Sequence, residues 1–279
     1  MMAVLAGCLA TQIGPPAGSA PLRYRDAVFP NVTITTNLQY GTAPDLSDQP
    51  VALDLDLYRP AGDTVTRRPA IVWAHAGGFS GGDKSYEGPT VTPWAQEGYV
   101  VADIDYRLLA PPGCSGSSMP AACVTAATDA ISDGQTAVRW LRAHAAQYGI
   151  DPTRIAFAGF SAGGIMATGV GVGTDPTNPT DSPGYSSKVQ AWVSVSGGLP
   201  GGEGVSATTP PGYLFSGTAD TYVPYQWSVD TANAMDEAGR AAVLYSEPGV
   251  GHTLPPLSLL TPQSTNFLYF ALDLAHAAT

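Results

Sequence analysis

The chain has 279 residues, 44% of them hydrophobic, which suits one large α/β domain with a substantial core. Its net charge is −11, with Lys84 and Lys188 its only lysines, so it lacks the basic face that a nucleic acid or an anionic membrane requires. No apolar run reaches the length of a membrane span.

The first segment, residues 1–22, reads as a clipped signal or mobile linker, with a single domain over 23–279. Leu5-Ala6-Gly7-Cys8 matches a bacterial lipobox, which would place a lipid anchor on Cys8. The apolar run before it is short and carries no basic flank, so a chance match stays open beside a truncated leader. Val32-Thr33-Ile34-Thr35 is β-branched, and Val51, Leu53, Leu55 and Leu57 alternate with their neighbours, the period of a strand with one buried face. Ala70–Ala74, Tyr99–Ile104 and Arg154–Ala158 are continuous apolar runs, the pattern of parallel strands covered on both faces. Between the last two, Ala127, Ile131, Gly134, Val138, Leu141, Ala145 and Tyr148 form one helical stripe, stopped by Gly149 and Asp151-Pro152. The order then repeats: a helix from Ala162 to Gly169, a strand at Val189–Val195, another at Tyr213–Ser216, and a helix over Tyr225–Ala238. A strand at Ala242–Ser246 and a last helix from Pro262 to Ala277 follow. The stretches 109–126 and 173–186 are candidate rim loops. Within the first, Cys114 and Cys123 flank a Pro, Gly, Ser and Ala segment and are expected to pair as a disulfide, which points to an extracytoplasmic protein, secreted or lipid-anchored.

Gly159-Phe160-Ser161-Ala162-Gly163 lies between a strand-like and a helix-like run. In that setting it describes a turn that pushes a serine hydroxyl out of the sheet. A serine needs a base, and His252, in the Gly-rich run after the last strand, can reach the same sheet edge. His144 lies in a helix, His276 near the C-terminus, and His75 leads a glycine pair, where it reads as structural. Asp220, immediately after a strand, is the expected carboxylate partner of His252, ahead of Glu247 and Glu203. Gly77 and Gly78, after the strand ending at Ala74, and the amide of Ala162 are the expected oxyanion donors. Phe79, Tyr106, Tyr222 and Tyr225 are the expected substrate-binding residues; Trp94 and Trp192 are further aromatic candidates. There is no zinc-type spacing, phosphate-binding loop or dinucleotide fingerprint, so neither a metal nor an organic cofactor is expected.

Val72-Trp73-Ala74-His75-Ala76-Gly77-Gly78-Phe79, Asp105-Tyr106-Arg107-Leu108-Leu109-Ala110-Pro111, the run from Asp151 through Gly-Phe-Ser-Ala-Gly-Gly, and Gly217-Thr218-Ala219-Asp220 together resemble the α/β-hydrolase superfamily, in its carboxylesterase and lipase branch. The first two are similar to the oxyanion and Tyr-Arg-Leu segments of hormone-sensitive-lipase-like enzymes, with Ala76 in place of their first glycine. The acid segment is more similar to that of prolyl-oligopeptidase-like and dienelactone-hydrolase-like esterases. The resemblance covers about residues 50–275 and implies an α/β-hydrolase fold, a mostly parallel central sheet with helices on both faces. It implies a serine carboxylic-ester hydrolase that works through an acyl-enzyme on short-chain or aryl esters. Amide-cleaving relatives, peptidase or arylformamidase, share the triad, and so do esterases directed at acetylxylan, feruloylated polymers or polyesters. The expected partner is a small-molecule ester.

Overall fold

The computed structural model describes residues 2–5, 21–111, 113–116, 119–176 and 179–276. In chain order the strands and α-helices are β1 (Met2–Leu5), β2 (Val32–Pro44), β3 (Pro50–Pro60), β4 (Arg68–Ala74), α1 (Gly88–Glu97), β5 (Val100–Ile104), α2 (Ala121–Ala143) and α3 (Ala145–Tyr148). They continue with β6 (Ile150–Phe160), α4 (Ala162–Val172), β7 (Ala191–Val195), β8 (Gly212–Gly217), α5 (Tyr225–Glu237), β9 (Ala242–Glu247) and α6 (Leu257–Ala271). The strands form one sheet in the order β1-β9-β8-β7-β6-β4-β5-β3-β2. The six from β5 to β9 along this order are parallel, while β3, β2 and β1 add antiparallel edges.

The three continuous apolar runs become the adjacent strands β6, β4 and β5, and every residue of β4 and β5 is buried. Strand alternation sends Ala70, Val72 and Ala74 to one face, where they pack with α2 and α4. It sends Ile71 and Trp73 to the other, where they pack with α1 and α6. A third cluster under α5 holds Trp192, Leu214 and Met235. α2 lies so close to the sheet that a β-carbon on Gly134 would sit 2.8 Å from the ring of Phe157. Gly149, at φ 67°, ends α3 in the left-handed conformation that glycine adopts without steric cost.

Because β4 lies between β5 and β6, the chain reverses its direction of travel across the sheet there. Such a reversal opens a crevice at the C-terminal ends of the two strands on either side of it. The register pairs Ala74 with Gly159, so β4 and β6 end level with one another. The loops that follow them start side by side.

Several expectations need correction. Met2–Leu5, read as leader or linker, lies antiparallel along β9, with Met2 opposite Tyr245 and Leu5 opposite Ala242. A sheet edge offers unpaired backbone groups to any nearby extended segment. Residues 6–20, Cys8 among them, lie outside the described residues. β2 runs well past Thr35, through two register shifts that break its alternation. α1 had no sequence signature, because Pro89 and Pro93 both fall within its ten residues. The last helix starts at Leu257, after Pro256, and carries Pro262 inside.

α1 and α6 meet around a buried carboxyl. Glu97 is 5% exposed and its Oε2 accepts a hydrogen bond from Thr265 Oγ1 at 2.8 Å. Burial, against the opposing effect of that bond, pushes its pKa up to about 8. A carboxyl whose folded pKa exceeds its unfolded one binds more protons when folded, so folding loses stability as pH rises from the unfolded value to about 8. Glu97→Gln is therefore expected to stabilise the protein by roughly 2–4 kcal/mol at pH 9 and by little at pH 5. Urea unfolding of both proteins at the two pH values measures this.

Candidate active site

β6 runs straight into Ser161, whose φ of 58° and ψ of −115° are strained for a residue with a side chain. The strain is held from both sides. Ser161 N donates to Val195 O at the end of β7 (2.9 Å), and Ser161 O accepts from Ile165 N in the first turn of α4 (2.9 Å). The turn is sharp enough to bring α4 onto the sheet. A β-carbon on Gly163 would lie 1.9 Å from Ala74 O, and one on Gly159 would lie 2.4 Å from the Gly163 carbonyl. Glycine at both positions is thus a requirement of contact distance.

Ser161 Oγ lies 2.8 Å from His252 Nε2, and His252 Nδ1 lies 2.8 Å from Asp220 Oδ2. This chain of bonds places a proton on Nδ1 facing the carboxylate, and leaves the Nε2 lone pair to accept from the serine hydroxyl. Asp220 has a fully buried side chain, and its Oδ1 accepts the amides of Tyr222 (3.0 Å) and Val223 (3.1 Å). The loops that carry the acid and the histidine are zipped together. Ala219 N donates to Val250 O (2.9 Å) and Gly249 N to Thr218 Oγ1 (2.9 Å), while Ser196 Oγ, just after β7, ties down the histidine loop through Thr253 O (3.2 Å). The His252 ring stacks with Phe160 (centroids 5.3 Å) and with Tyr222 (5.5 Å).

Of the rival groups, Glu247 closes β9 and its carbonyl accepts Thr218 N, while Glu203 is exposed on a turn. His75 is buried, bonds Ala76 O through Nδ1 at 2.6 Å, and stacks on Tyr106 at 4.4 Å. His144 stacks on Trp140 at the junction of α2 and α3.

The loop after β4 carries Gly77 at φ 134°, Gly78 at φ 60° and Phe79 at φ 61°. Among the described residues, no acceptor takes the amide hydrogens of Gly77, Gly78 or Ala162. Gly77 and Gly78 line a cleft of about 360 Å³ together with Ser161, His252, Phe160 and Tyr222.

The substrate-binding expectations divide. Tyr222 lines the cleft and is 63% exposed. Phe79, Tyr106 and Tyr225 do not line it. Phe79 and Tyr106 belong to the core, where the Tyr106 hydroxyl donates to His75 O at 2.8 Å and so braces the glycine loop from below. The Tyr225 hydroxyl is paired with Ser246 Oγ at 2.7 Å. Trp94 and Trp192 are buried on opposite faces of the sheet. Gly113–Ser115, within the candidate rim loop 109–126, lines the cleft, as do Phe160 and Val223, which were not expected there. Only strand alternation hinted at Phe160, and it does not say what lies opposite. Cys114 and Cys123 are joined, with Cα atoms 5.6 Å apart.

Asp220→Asn keeps the shape of the acid but reverses the tautomer preference of His252. Labelling of Ser161 by a fluorophosphonate is expected to slow roughly 10²–10⁴-fold with an unchanged circular dichroism spectrum.

The BD-FAE family model matches residues 55–198, just over half of the chain. This span includes the glycine loop and Ser161 but stops short of Asp220 and His252. Esterase LipI of Mycobacterium tuberculosis is 35% identical over 141 residues, 44% of this chain and 40% of that protein. Secreted lipase 5 of Gibberella zeae is 33% identical over 112 residues, 39% of this chain and 20% of its own. The chain thus spans less than half the length of these relatives. Thermogutta terrifontis esterase 2, in its paraoxon-phosphorylated structure, superposes with a TM-score of 0.69 at 26% identity, covering 90% of this chain and 97% of that one. From the matched span, the sheet topology and these likenesses, the chain belongs to the BD-FAE family of the α/β-hydrolase carboxylesterases and lipases.

Proposed function

We propose that the protein is a serine carboxylic-ester hydrolase acting on small, short-chain esters. One observation carries this reading: the unbroken hydrogen-bonded chain Ser161–His252–Asp220 at the mouth of a cleft. Ser161 Oγ attacks the ester carbonyl as its proton passes to His252 Nε2. Asp220 holds the imidazole and stabilises its charged form. The oxygen that becomes negative is received by the amides of Gly77, Gly78 and Ala162, which have no other acceptor among the described residues. The imidazolium then protonates the leaving alcohol. A water, deprotonated by His252, attacks the acyl-enzyme and releases the acid.

The size of the cleft supports a short acyl group, and Thermogutta terrifontis esterase 2 has been solved with butyrate and with propionate bound. Tyr222, exposed beside His252, offers a face for the acyl or alcohol part. The Cys114–Cys123 bond and the likeness to a secreted lipase support an extracytoplasmic location. Among the described residues, no helix is long and apolar enough to cross a membrane. The reading includes a single catalytic domain over residues 23–279, with Met2–Leu5 of the preceding segment paired at the edge of its sheet.

Ser161→Ala is expected to lower kcat on p-nitrophenyl butyrate by at least roughly 10³-fold with the fold intact. Full activity in that variant overturns the assignment. In a panel of p-nitrophenyl esters, kcat/KM is expected to peak at short acyl chains and fall steadily beyond them. A maximum on long acyl chains contradicts the short-chain reading.

A further inference from the structure

Gly113, Cys114 and Ser115 form one wall of the cleft, and this short run touches two of the loops that carry the site. The carbonyl oxygen of Cys114 lies 3.7 Å from where a β-carbon on Gly78 would stand, which sets it against the loop of the proposed oxyanion donors. At the other end, Gly116 N donates to Tyr222 O at 2.6 Å, two residues from Asp220. The run therefore bridges the glycine loop and the acid loop.

Little holds this bridge in place. Gly113 and Ser115 are exposed, and Gly113 and Gly116 have φ of 91° and 84°. No apolar side chain in the run reaches the core. Among the described residues, its bonded links to the rest of the molecule are the Gly116–Tyr222 hydrogen bond and the disulfide from Cys114 to Cys123. Cys123 is 1% exposed in the first turn of α2, a helix packed along the sheet, so the covalent link ties a glycine-rich wall to a fixed point. Without it, the run regains the backbone freedom characteristic of glycine, and a substrate would have to order the wall in order to bind. The triad needs no such ordering. The bonds from Ser161 to His252 and from His252 to Asp220, and the amides of Tyr222 and Val223 on Asp220, do not pass through the bridge.

We propose that the Cys114–Cys123 disulfide holds a substrate-binding wall, so that the oxidation state of this pair sets substrate affinity while the chemistry of the triad stays in place. The inference rests on the ester-hydrolase reading. A dithiol such as dithiothreitol supplies two electrons and two protons: the Cys114–Cys123 bond breaks to two thiols while the reagent closes to its cyclic disulfide.

The test uses a Cys8→Ser background, so that every titratable thiol comes from this pair. Dithiothreitol under native conditions is expected to expose two thiols. KM for p-nitrophenyl butyrate should then rise about fivefold or more, with kcat held within about threefold, and reoxidation should restore both. A variant that adds Cys114→Ser and Cys123→Ser is expected to show the raised KM with or without the reductant. Release of two thiols with an unchanged KM overturns the proposal. So does loss of the circular dichroism signal on reduction and in the serine variant alike, because the pair then serves stability alone. If the oxidised protein neither turns over the ester nor takes a fluorophosphonate on Ser161, the hydrolase reading itself fails. Turnover with an affinity indifferent to reduction removes only the present inference.

Discussion

The contact on which the site depends is the one between Gly163 and the carbonyl of Ala74. It joins the first turn of α4 to the last residue of β4, at a separation that no side chain permits. This approach lets the chain leave β6 through the strained Ser161 and enter a helix with no intervening loop. It also sets the serine directly over the neighbouring strand, whose outgoing loop carries Gly77 and Gly78. The strain at Ser161 is sustained by bonds on either side, to Val195 and from Ile165.

A second layer of order lies beneath that loop, in the segment that follows β5. Asp105 accepts Lys84 N (2.8 Å) and faces Lys84 Nζ (3.0 Å). Tyr106 bonds His75 O, and Ala110 N donates to Phe79 O. The next residue along from Tyr106, Arg107, is clamped to Asp133 of α2 by a buried ion pair with bonds of 2.8–3.0 Å. Such a pair adds little net stability over an apolar packing of the same volume, but losing one partner leaves the other charged and buried. Its evident effect here is positional. It locks the strap running from Asp105 to Ala110 to α2, the same helix that anchors Cys123. The glycine loop, the cleft wall and α2 form one connected support.

Burial also has its cost in charge. Glu97 lies between α1 and α6, and Asp103 in the middle of β5 has neither carboxylate oxygen hydrogen-bonded among the described residues. Burial, with repulsion from Glu87, Asp105 and Asp56, pushes Asp103 up to about 9. Both carboxyls are therefore held neutral near pH 7, and both set themselves against the folded state as the pH rises. Asp220, equally buried, is provided with two backbone amides and an imidazole N–H.

Local sequence was enough to determine the elements whose signal is carried within a few residues. β4, β5 and β6 are continuous apolar runs, the stripe read as one helix spans α2 and α3, which part at His144, Gly149 stops α3, and Gly-Phe-Ser-Ala-Gly marks the turn after β6. The order of Ser161, Asp220 and His252 at strand ends was likewise legible, because a parallel sheet brings every strand's C-terminal end to one edge. Elements that break local rules were not legible. α1 and α6 hold internal prolines, β2 is bulged, and Met2–Leu5 pairs at an edge more than two hundred residues away in sequence. The lining of the cleft was the least accessible part. An aromatic residue next to a motif reads the same whether it faces a cleft or the core, and only packing decides. It turned Phe79 and Tyr106 inward to brace the glycine loop, left Tyr222 outside against His252, and brought Phe160 and the disulfide-linked run at Cys114 to the wall. Sequence by itself determined which residues are candidates for the chemistry, since this depends on residue type and strand order. Tertiary structure decided what surrounds them, since this depends on contacts between segments far apart in the chain.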